Sequence, residues 1–245
     1  MKSLTIDIGN SSAKLAVFAQ GGICHRERVP KITCEMLDKI LATHGIDEAI
    51  LSSVAHADYA IDDFLNNRLS RYVRLSHVTP LPIGIDYATP HTLGADRIAT
   101  AVAAWELNPE APSLVVDAGT AATIDVVDAK GNFCGGNIVA GLATRLKALN
   151  RYTGALPLVD AQGDVPQWGY DTVTALRSGA VLGLVAEIEA TAQRVMTRWQ
   201  CAQPVIFLTG GDAPLLAGFM NLPVRLHNDL LAFGLYRILR YNDDI

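Results

Sequence analysis

Two stretches of the chain repeat one pattern, LTIDIGNSSAKLAVFAQG at residues 4–21 and LVVDAGTAATIDVVDAKG at residues 114–131. Aligned without a gap, they match at Leu, Asp, Gly, Val, Ala and Gly. In each, an apolar run ends in Asp-x-Gly, a second β-rich run follows and a Gly closes the stretch, which predicts a β-hairpin. Two hairpins can resemble each other by chance, but the shared position of Asp-x-Gly favours an internal duplication.

The remaining chain alternates between helical and extended patterns. Helices are predicted at 35–44, 60–69, 93–107, 142–152, 172–199 and 230–240, and extended segments at 48–53, 72–75 and 205–208. This alternation predicts an α/β fold whose helices cover mixed sheets. Two prolines at 108–113 indicate a boundary, so we expect domains at 1–110 and 111–245. Similar domains leave a central cleft, where ligands usually bind.

Composition narrows the class of protein. Hydrophobic residues make up 50% and charged residues 18%, the formal net charge is -5, and Lys and Arg form no basic cluster, which argues against a nucleic-acid partner. Asp7 and Asn10 interrupt any apolar signal-peptide region, and no apolar run reaches the roughly 20 residues of a membrane span. The four cysteines form no CxxC pair, which predicts reduced thiols in a cytoplasmic protein.

The two Asp-x-Gly turns have the chemistry of a phosphate site. Glycine lets a phosphate approach the backbone, and successive N–H groups in a tight turn form an anion cradle. A strand-end carboxylate can hold a cation that neutralises phosphate charge. Nearby hydroxyls can add donors, namely Ser11, Ser12, Thr120 and Thr123. A single Asp-x-Gly would be only a hairpin turn, but two in register favour a polyphosphate site.

A third glycine turn, Thr209-Gly-Gly-Asp212, follows a very apolar strand. Its glycines would let a flat adenine ring lie on the backbone, although glycine after a strand is more often a plain turn. This turn is informative because of its position, since it would complete a nucleotide site begun by the two Asp-x-Gly turns. The chain contains no GxxxxGK[ST] and no GxGxxG after a strand, which excludes a P-loop protein and a dinucleotide fold.

Together the three turns resemble the phosphate-1, phosphate-2 and adenosine motifs of the acetate kinase, sugar kinase, Hsp70 and actin superfamily. Within it, the chain resembles type III pantothenate kinases over essentially its whole length. The runs that carry this resemblance are YATPHTLGADR at 87–97, DAGTAAT at 117–123, and GGNI at 135–138 followed by Gly141. The resemblance implies two duplicated ribonuclease-H-like, or actin-like ATPase, domains.

The same resemblance implies an activity. The expected reaction is ATP-dependent phosphorylation of pantothenate to 4′-phosphopantothenate, the first step of coenzyme A biosynthesis. The expected cofactors are Mg²⁺ and a monovalent cation, K⁺ or NH₄⁺. A cytoplasmic homodimer is expected, with no nucleic-acid or membrane partner.

Site residues follow from the resemblance position by position. ATP binding is implied for Asp7, Ile8, Gly9, Asn10, Ser11, Ser12, Ala13, Lys14 and Thr120. Pantothenate binding is implied for Tyr87, Gly94, Ala95, Asp96, Arg97 and Thr172. Asp96 is the implied catalytic base, and Asp117 is the implied ligand of the monovalent cation. The chain departs from the family pattern at Ser11-Ser12, where threonine is commoner, and at Ala140, where proline often precedes glycine.

Simpler interpretations stay open for several of these residues. Asp96 and Arg97 could be an ion pair that caps a helix, and Asp117 could only accept backbone N–H bonds within its turn. Lys14 could be a solvated strand residue. At the level of the whole protein, the alternatives are a kinase for another small hydroxylated acceptor and a non-catalytic regulatory protein of the same fold.

Overall fold

The chain folds into two compact α/β units. The computed structural model describes residues 1–9, 11–53, 59–201 and 203–243. One unit comprises Met1–Leu107 with Asp229–Ile245, and the other comprises Asn108–Asn228. Within the described ranges, no helix combines the length and the apolar character that a membrane crossing requires.

The first unit is built on a mixed sheet. The strands of this sheet are β1 (Lys2–Ile8), β2 (Ala13–Ala19), β3 (Gly22–Val29), β4 (Glu48–Ser53) and β5 (Arg71–Arg74). The short strand β6 (Gly84–Ile85) is not part of this sheet. The helices of the unit are α1 (Cys34–His44), α2 (Tyr59–Arg68), a 3₁₀ turn (Pro90–Thr92) and α3 (Ala95–Leu107). The strand order is β3-β2-β1-β4-β5, with β1 antiparallel to β2 and parallel to β4.

The second unit repeats this topology. Its strands are β7 (Ser113–Ala118), β8 (Ala121–Val127), β9 (Asn132–Ala140), β10 (Val205–Thr209) and β11 (Val224–Leu226), and its helices are α4 (Leu142–Tyr152), α5 (Thr172–Trp199) and α6 (Ala213–Ala217). Within the unit the order is β9-β8-β7-β10-β11, with β7 antiparallel to β8 and parallel to β10. The duplication predicted from the two hairpins is therefore confirmed in the strand topology.

The core of the first unit lies between its sheet and helices α1 and α2. Leu4 and Ile6 alternate along β1 and point to this face, because successive side chains of a strand point to opposite sides. Leu37 and Leu41, four residues apart on α1, and Leu65 on α2 pack in the same cluster. Each fully buried side chain of this size contributes about 1.5–3 kcal/mol.

The core of the second unit uses the long helix α5. Leu114 and Val116 of β7 pack against Val181, Leu184 and Ile188. These three residues recur at the spacing of one helical face, as the sequence pattern predicts. All of the predicted helices are present, and their ends agree with the structure within two residues.

Strands β3 and β9 are absent from the sequence predictions. β3 alternates exposed and half-buried residues, and β9 contains two glycines that weaken any strand signal. Gly135 has φ +95°, a conformation that favours glycine, and a Cβ at Gly136 would overlap Asp125 of the neighbouring strand. Both strands form because the sheet offers an edge for pairing, which local propensity does not reveal.

The compact units divide the chain differently from the predicted domains at its C-terminal end. The last helix, α7 (Leu230–Tyr241), groups with the first unit instead of ending the second. Gly234 lies against the backbone of Ala99 in α3, and an added Cβ would overlap the Ala99 carbonyl oxygen. The rings of Phe18 and Tyr236 stack with centroids 4.3 Å apart. Close packing of α7 against α3 and β2 therefore places this helix in the first unit, although it comes last in the chain.

A buried carboxylate also ties α7 to the first sheet. Glu48 in β4 accepts a hydrogen bond of 2.6 Å from Ser3 Oγ and pairs with Arg240 of α7. Arg71 Nη1 lies 3.6 Å from Glu48 Oε2, and Arg240 Nη1 lies 2.9 Å from Asp243 Oδ2. A buried charge is stable only when it is paired and hydrogen-bonded, so the Glu48 carboxylate requires these partners and holds α7 against the sheet.

Candidate active site

The first Asp-x-Gly turn joins β1 to β2. Asp7 is 7% exposed near the end of β1, and the N–H of Gly9 donates to the Ser12 carbonyl oxygen at 3.1 Å. Ser11 is exposed, and Lys14 is exposed opposite Asp7 in the register of the hairpin. Asn10 lies outside the described residues. The turn therefore offers a hydroxyl and an ammonium group at its surface.

The second Asp-x-Gly turn joins β7 to β8 in the same way. Asp117 is half-buried one residue before the end of β7, as Asp7 is in β1. The N–H of Gly119 donates to the Ala121 carbonyl oxygen at 3.1 Å, and Thr120 is exposed. Thr123 lies opposite Asp117 in the hairpin register. A carboxylate and two hydroxyl residues thus meet at one strand end.

Two further turns pack directly on the second Asp-x-Gly turn. At Gly141 an added Cβ would overlap the Gly119 carbonyl oxygen, and at Gly210 it would overlap the backbone of Ala118. The N–H of Gly141 and the hydroxyl of Thr144 donate to the Thr120 carbonyl oxygen at 3.1 and 2.7 Å. Glycine is required at both positions because the backbones are in contact. The motifs at 117–123, 209–212 and 135–141 therefore form one cluster within this unit.

Asp212 belongs to the same cluster. Its N–H donates to the Ala118 carbonyl oxygen at 3.1 Å. Burial raises the pKa of the Asp212 carboxyl, the negative charge of Asp160 raises it further, and a hydrogen bond from the Leu142 N–H opposes the rise. That bond places the carboxyl at the start of α4, where the sequence supplies no capping side chain. Sequence analysis gave Asp212 no such role.

The segment expected to bind substrate lies at the start of α3. Arg97 is 5% exposed, and its guanidinium carbon lies 5.8 Å from the centre of the Tyr87 ring. Cation–π contacts are favourable at this distance. An added Cβ at Gly94 would overlap Oδ1 of Asp96, so the carboxylate folds back over this glycine. The structure thus brings together residues that the sequence places in one motif.

Asp96 is half-buried and occupies the first turn of α3. Its Oδ1 accepts a hydrogen bond of 2.8 Å from the Arg97 N–H, and the Thr100 hydroxyl donates to its carbonyl oxygen at 3.1 Å. A carboxylate at a helix N-terminus is stabilised by the helix dipole. The bond from the Arg97 N–H therefore satisfies one backbone donor of the first turn and holds the Asp96 carboxylate in one position.

Thr172 is the first residue of α5 and is exposed. The helix begins with a capping box that sequence analysis did not identify. Asp171 Oδ1 accepts from the Thr174 N–H at 2.8 Å, and the Thr174 hydroxyl lies 3.2 Å from the Asp171 N–H. The hydrogen bonds that the Thr174 N–H and the Thr174 hydroxyl donate to the Asp171 carboxylate lower its pKa. The sequence signal for this capping box is an Asp that is followed three residues later by a Thr.

Comparison with known proteins identifies the family. A family model described as type III pantothenate kinase matches residues 3–194. Over 243 residues the chain is 38% identical to the type III pantothenate kinase of Phocaeicola vulgatus, covering 99% of this chain and 100% of that protein. The chain belongs to the type III pantothenate kinase family. The Asp-x-Gly turns and the Gly94–Arg97 segment described above therefore lie within the sequence that this chain shares with the family.

Solved structures show how widely the fold of this family is shared. A Campylobacter jejuni protein assigned to a Baf family of transcriptional activators superposes with a TM-score of 0.66 and 23% identity, covering 99% of this chain and 100% of that one. A Sinorhizobium meliloti protein assigned as a 2-dehydro-3-deoxygalactonokinase gives 0.63 and 15%, covering 99% and 100%. The chain has the duplicated ribonuclease-H-like fold of the actin-like ATPases.

The donors and acceptors of this family member fit a nucleotide with its cations. Backbone N–H groups, the Ser11 and Thr120 hydroxyls and the Lys14 ammonium group suit phosphate oxygens. Asp7 and Asp117 offer carboxylate oxygens, which hard cations prefer. In the part of the chain that the structure describes, no three His, Cys, Asp or Glu side chains are grouped to hold a metal ion.

Proposed function

We propose that this protein is an ATP-dependent pantothenate kinase. It transfers the γ-phosphoryl group of ATP to the primary hydroxyl of pantothenate, giving 4′-phosphopantothenate in the first step of coenzyme A biosynthesis. The observation that carries the proposal is the 38% identity to a protein of that name over 99% of this chain. The position of the Gly94–Arg97 segment at the start of α3, where a carboxylate and a guanidinium lie close together, also supports it.

Asp96 is the proposed catalytic base. A primary alcohol is not ionised at neutral pH, so the carboxylate accepts a hydrogen bond from the hydroxyl, orients it and takes its proton late. The bond from the Arg97 N–H to Oδ1 leaves the second carboxylate oxygen, Oδ2, for this role. When bound, ATP would supply the phosphoryl group and Mg²⁺ would neutralise charge on its phosphates.

Arg97 is proposed to bind an anionic group of the substrate. Its guanidinium presents two parallel N–H donors that match a carboxylate or a phosphoryl group. It is buried, and Tyr87 lies beside it, so the fork is held in one orientation before substrate arrives. Pre-organisation of this kind lowers the entropic cost of binding. Gly94, Ala95 and Tyr87 complete the proposed pantothenate-binding segment.

The two Asp-x-Gly turns are proposed to bind ATP and its cations. Residues 7–14 supply N–H, hydroxyl and ammonium donors to phosphate oxygens, and Thr120 adds a hydroxyl. Asp117 is the proposed ligand of K⁺ or NH₄⁺. Its half-buried carboxylate at the strand end supports this role, because partial burial strengthens its attraction for a cation.

A homodimer is part of the proposal. Thr172, the proposed pantothenate contact on α5, is exposed beside a group of large apolar side chains. Trp168 is 79% exposed and Tyr170 is 72% exposed, fractions that are typical of surfaces that a partner covers. A second copy would bury these rings and enclose Thr172. Sedimentation velocity tests this, and a fully active monomer would contradict it.

We also propose a cytoplasmic location without a nucleic-acid or membrane partner. The four cysteines are Cys24, Cys34, Cys134 and Cys201, and all are free thiols. Free thiols persist in a reducing compartment. The net charge of -5 does not favour binding to nucleic acid.

The experiment is coupled ATP turnover with pantothenate and Mg²⁺, with K⁺ or NH₄⁺ added or withheld. Pantothenate-dependent turnover that requires the monovalent cation is the expected result. Turnover with a sugar in place of pantothenate would favour the other-acceptor kinase. Folded protein that turns over no acceptor would favour the regulatory alternative.

A further inference from the structure

Arg28 lies against the first Asp-x-Gly turn. It is exposed near the end of β3, and its Nε donates a hydrogen bond of 2.9 Å to the hydroxyl of Ser12. Ser12 also closes the turn, because its carbonyl oxygen accepts from the Gly9 N–H. The guanidinium is therefore held by a residue of the phosphate motif although it is distant from that motif in the sequence.

The sheet register aligns Arg28 with the two charged residues of this motif. Lys14 of β2 lies opposite Asp7 of β1 on one side and opposite Arg28 of β3 on the other. Residues in register across a sheet point to the same face. Asp7, Lys14 and Arg28 thus form a row in which a buried carboxylate is followed by two exposed cations.

Arg28 differs from the other arginine on its strand and face. Arg26 binds Asp229 through two hydrogen bonds of 2.9 and 2.7 Å. Over the described ranges of the chain, no Asp or Glu pairs with Arg28, whose charge is balanced by no side chain in contact with it. Because Nε binds Ser12, the two terminal amino groups are available to a further acceptor.

We propose that Arg28 is a further nucleotide-binding residue, whose terminal amino groups bind phosphate oxygens of ATP beside Lys14. This rests on the proposed function, because it assigns a role toward the same nucleotide. Two adjacent cations repel each other by a few tenths to about 1 kcal/mol on a sheet surface, and an anion between them removes that cost. A planar guanidinium fork matches two phosphate oxygens, and the bond to Ser12 orients it.

The test is equilibrium binding of MgATP, MgADP and adenosine by titration calorimetry. Arg28→Gln should weaken MgATP and MgADP binding roughly 10- to 100-fold, the value of a charged hydrogen bond, and should change adenosine binding less than about two-fold. Arg28→Lys restores the charge without the fork and should recover part of the loss. In turnover, the KM for ATP should rise while the KM for pantothenate stays unchanged.

Arg26→Gln is the matched control, since it removes the same charge from the same strand and face. It should bind MgATP like the wild type. Arg28→Lys keeps the test valid if Arg28→Gln does not fold, because loss of the guanidinium fork should still weaken MgATP binding while adenosine binding stays unchanged. Unchanged MgATP binding by Arg28→Gln would overturn the inference, as would equal losses for MgATP and adenosine. A wild type that binds MgATP without phosphorylating pantothenate would overturn the proposed function and leave the Arg28 assignment intact.

Discussion

The two units have the same strand order, and their first hairpins carry different chemistry. In the first unit, the row across three strands is Asp7, Lys14 and Arg28, with two exposed cations. In the second, the corresponding row is Asp117, Thr123 and Ile138, with a hydroxyl and an apolar side chain that is 63% exposed. Duplication conserved the turn and its carboxylate, while the neighbouring strands diverged. The row in the first unit therefore carries two positive charges beside its carboxylate, and the row in the second carries none.

The helices that follow the last strands of the two sheets differ as well. Helix α3 begins with Asp96 and Arg97 in its first turn. Helix α7, which follows β11, has no acidic residue in its first turn and begins with Leu230 and Leu231. The start of α3 therefore presents a carboxylate and a guanidinium, whereas the first turn of α7 presents apolar side chains. The two units share the positions at which polar groups could be placed, because they share a topology. Their side chains differ, so of these two helices only α3 carries charged residues in its first turn.

The largest effect is expected at Asp96. Asp96→Asn keeps the size of the side chain but removes the proton acceptor, so kcat should fall about 10²- to 10⁴-fold with an unchanged circular dichroism spectrum. Asp229→Asn, at the start of α7, is the matched control and should retain turnover within about two-fold. Near-normal kcat in Asp96→Asn would mean that the two helix starts do not differ in catalysis.

The next effect concerns Glu48, a buried charge whose equivalent position in the second sheet is apolar. Glu48 in β4 pairs in register with Ser3, whereas the equivalent partner of Ser113 in the second sheet is Val205. Glu48→Gln should lower the free energy of unfolding by about 3 kcal/mol, the lower end of the range for breaking a buried pair, because Asp243 still pairs with Arg240. Urea unfolding measures this.

A control for Glu48 is the exposed ion pair between Asp38 and Arg68, whose atoms lie 2.9 Å apart. Asp38→Asn should cost less than about 1 kcal/mol because solvent screens the pair. Equal costs for the two substitutions would show that Glu48 does not anchor α7 to the first unit.

A smaller effect is expected at Gly141, which lies against the turn of the second unit. Gly141→Ala forces the Gly119 carbonyl to move and should cost about 1–3 kcal/mol in urea unfolding, with weaker MgATP binding. Gly154→Ala is the control, because an added Cβ there meets no atom within 4 Å. If Gly141→Ala were as stable as Gly154→Ala, the turn would not depend on close backbone packing.

The smallest effect is expected from the charge of Asp171 at the start of α5. The bonds from Thr174 lower the pKa of Asp171, so the ionised carboxylate stabilises the fold above the unfolded pKa of about 3.9. That contribution is lost as the pH falls through the lower pKa of the folded state. Asp171→Asn keeps a capping side chain without the charge, so its difference in unfolding midpoint from the wild type should shrink between pH 7 and pH 3. If the difference in unfolding midpoint did not change with pH, the cap would act through hydrogen bonding alone.

Local patterns determined most of the secondary structure and the membership of the motifs. Apolar residues at helical spacing predict α5, because packing of one face against a sheet requires that spacing. The Asp-x-Gly turns were visible because glycine is needed wherever backbones approach closely. Strand β9 was not visible, since its glycines suit contacts with β8 that only the folded sheet creates.

By itself, the sequence determined the α/β class, the duplication and a candidate list of nucleotide and substrate residues, because these depend on short-range periodicity and on motifs. Only the tertiary structure decided that α7 packs beside α3, that Gly141 and Gly210 press on the second turn, and that Arg28 is bound to Ser12. These contacts join residues far apart in the chain. Strand register and helix packing bring them together, and local propensity carries no information about either.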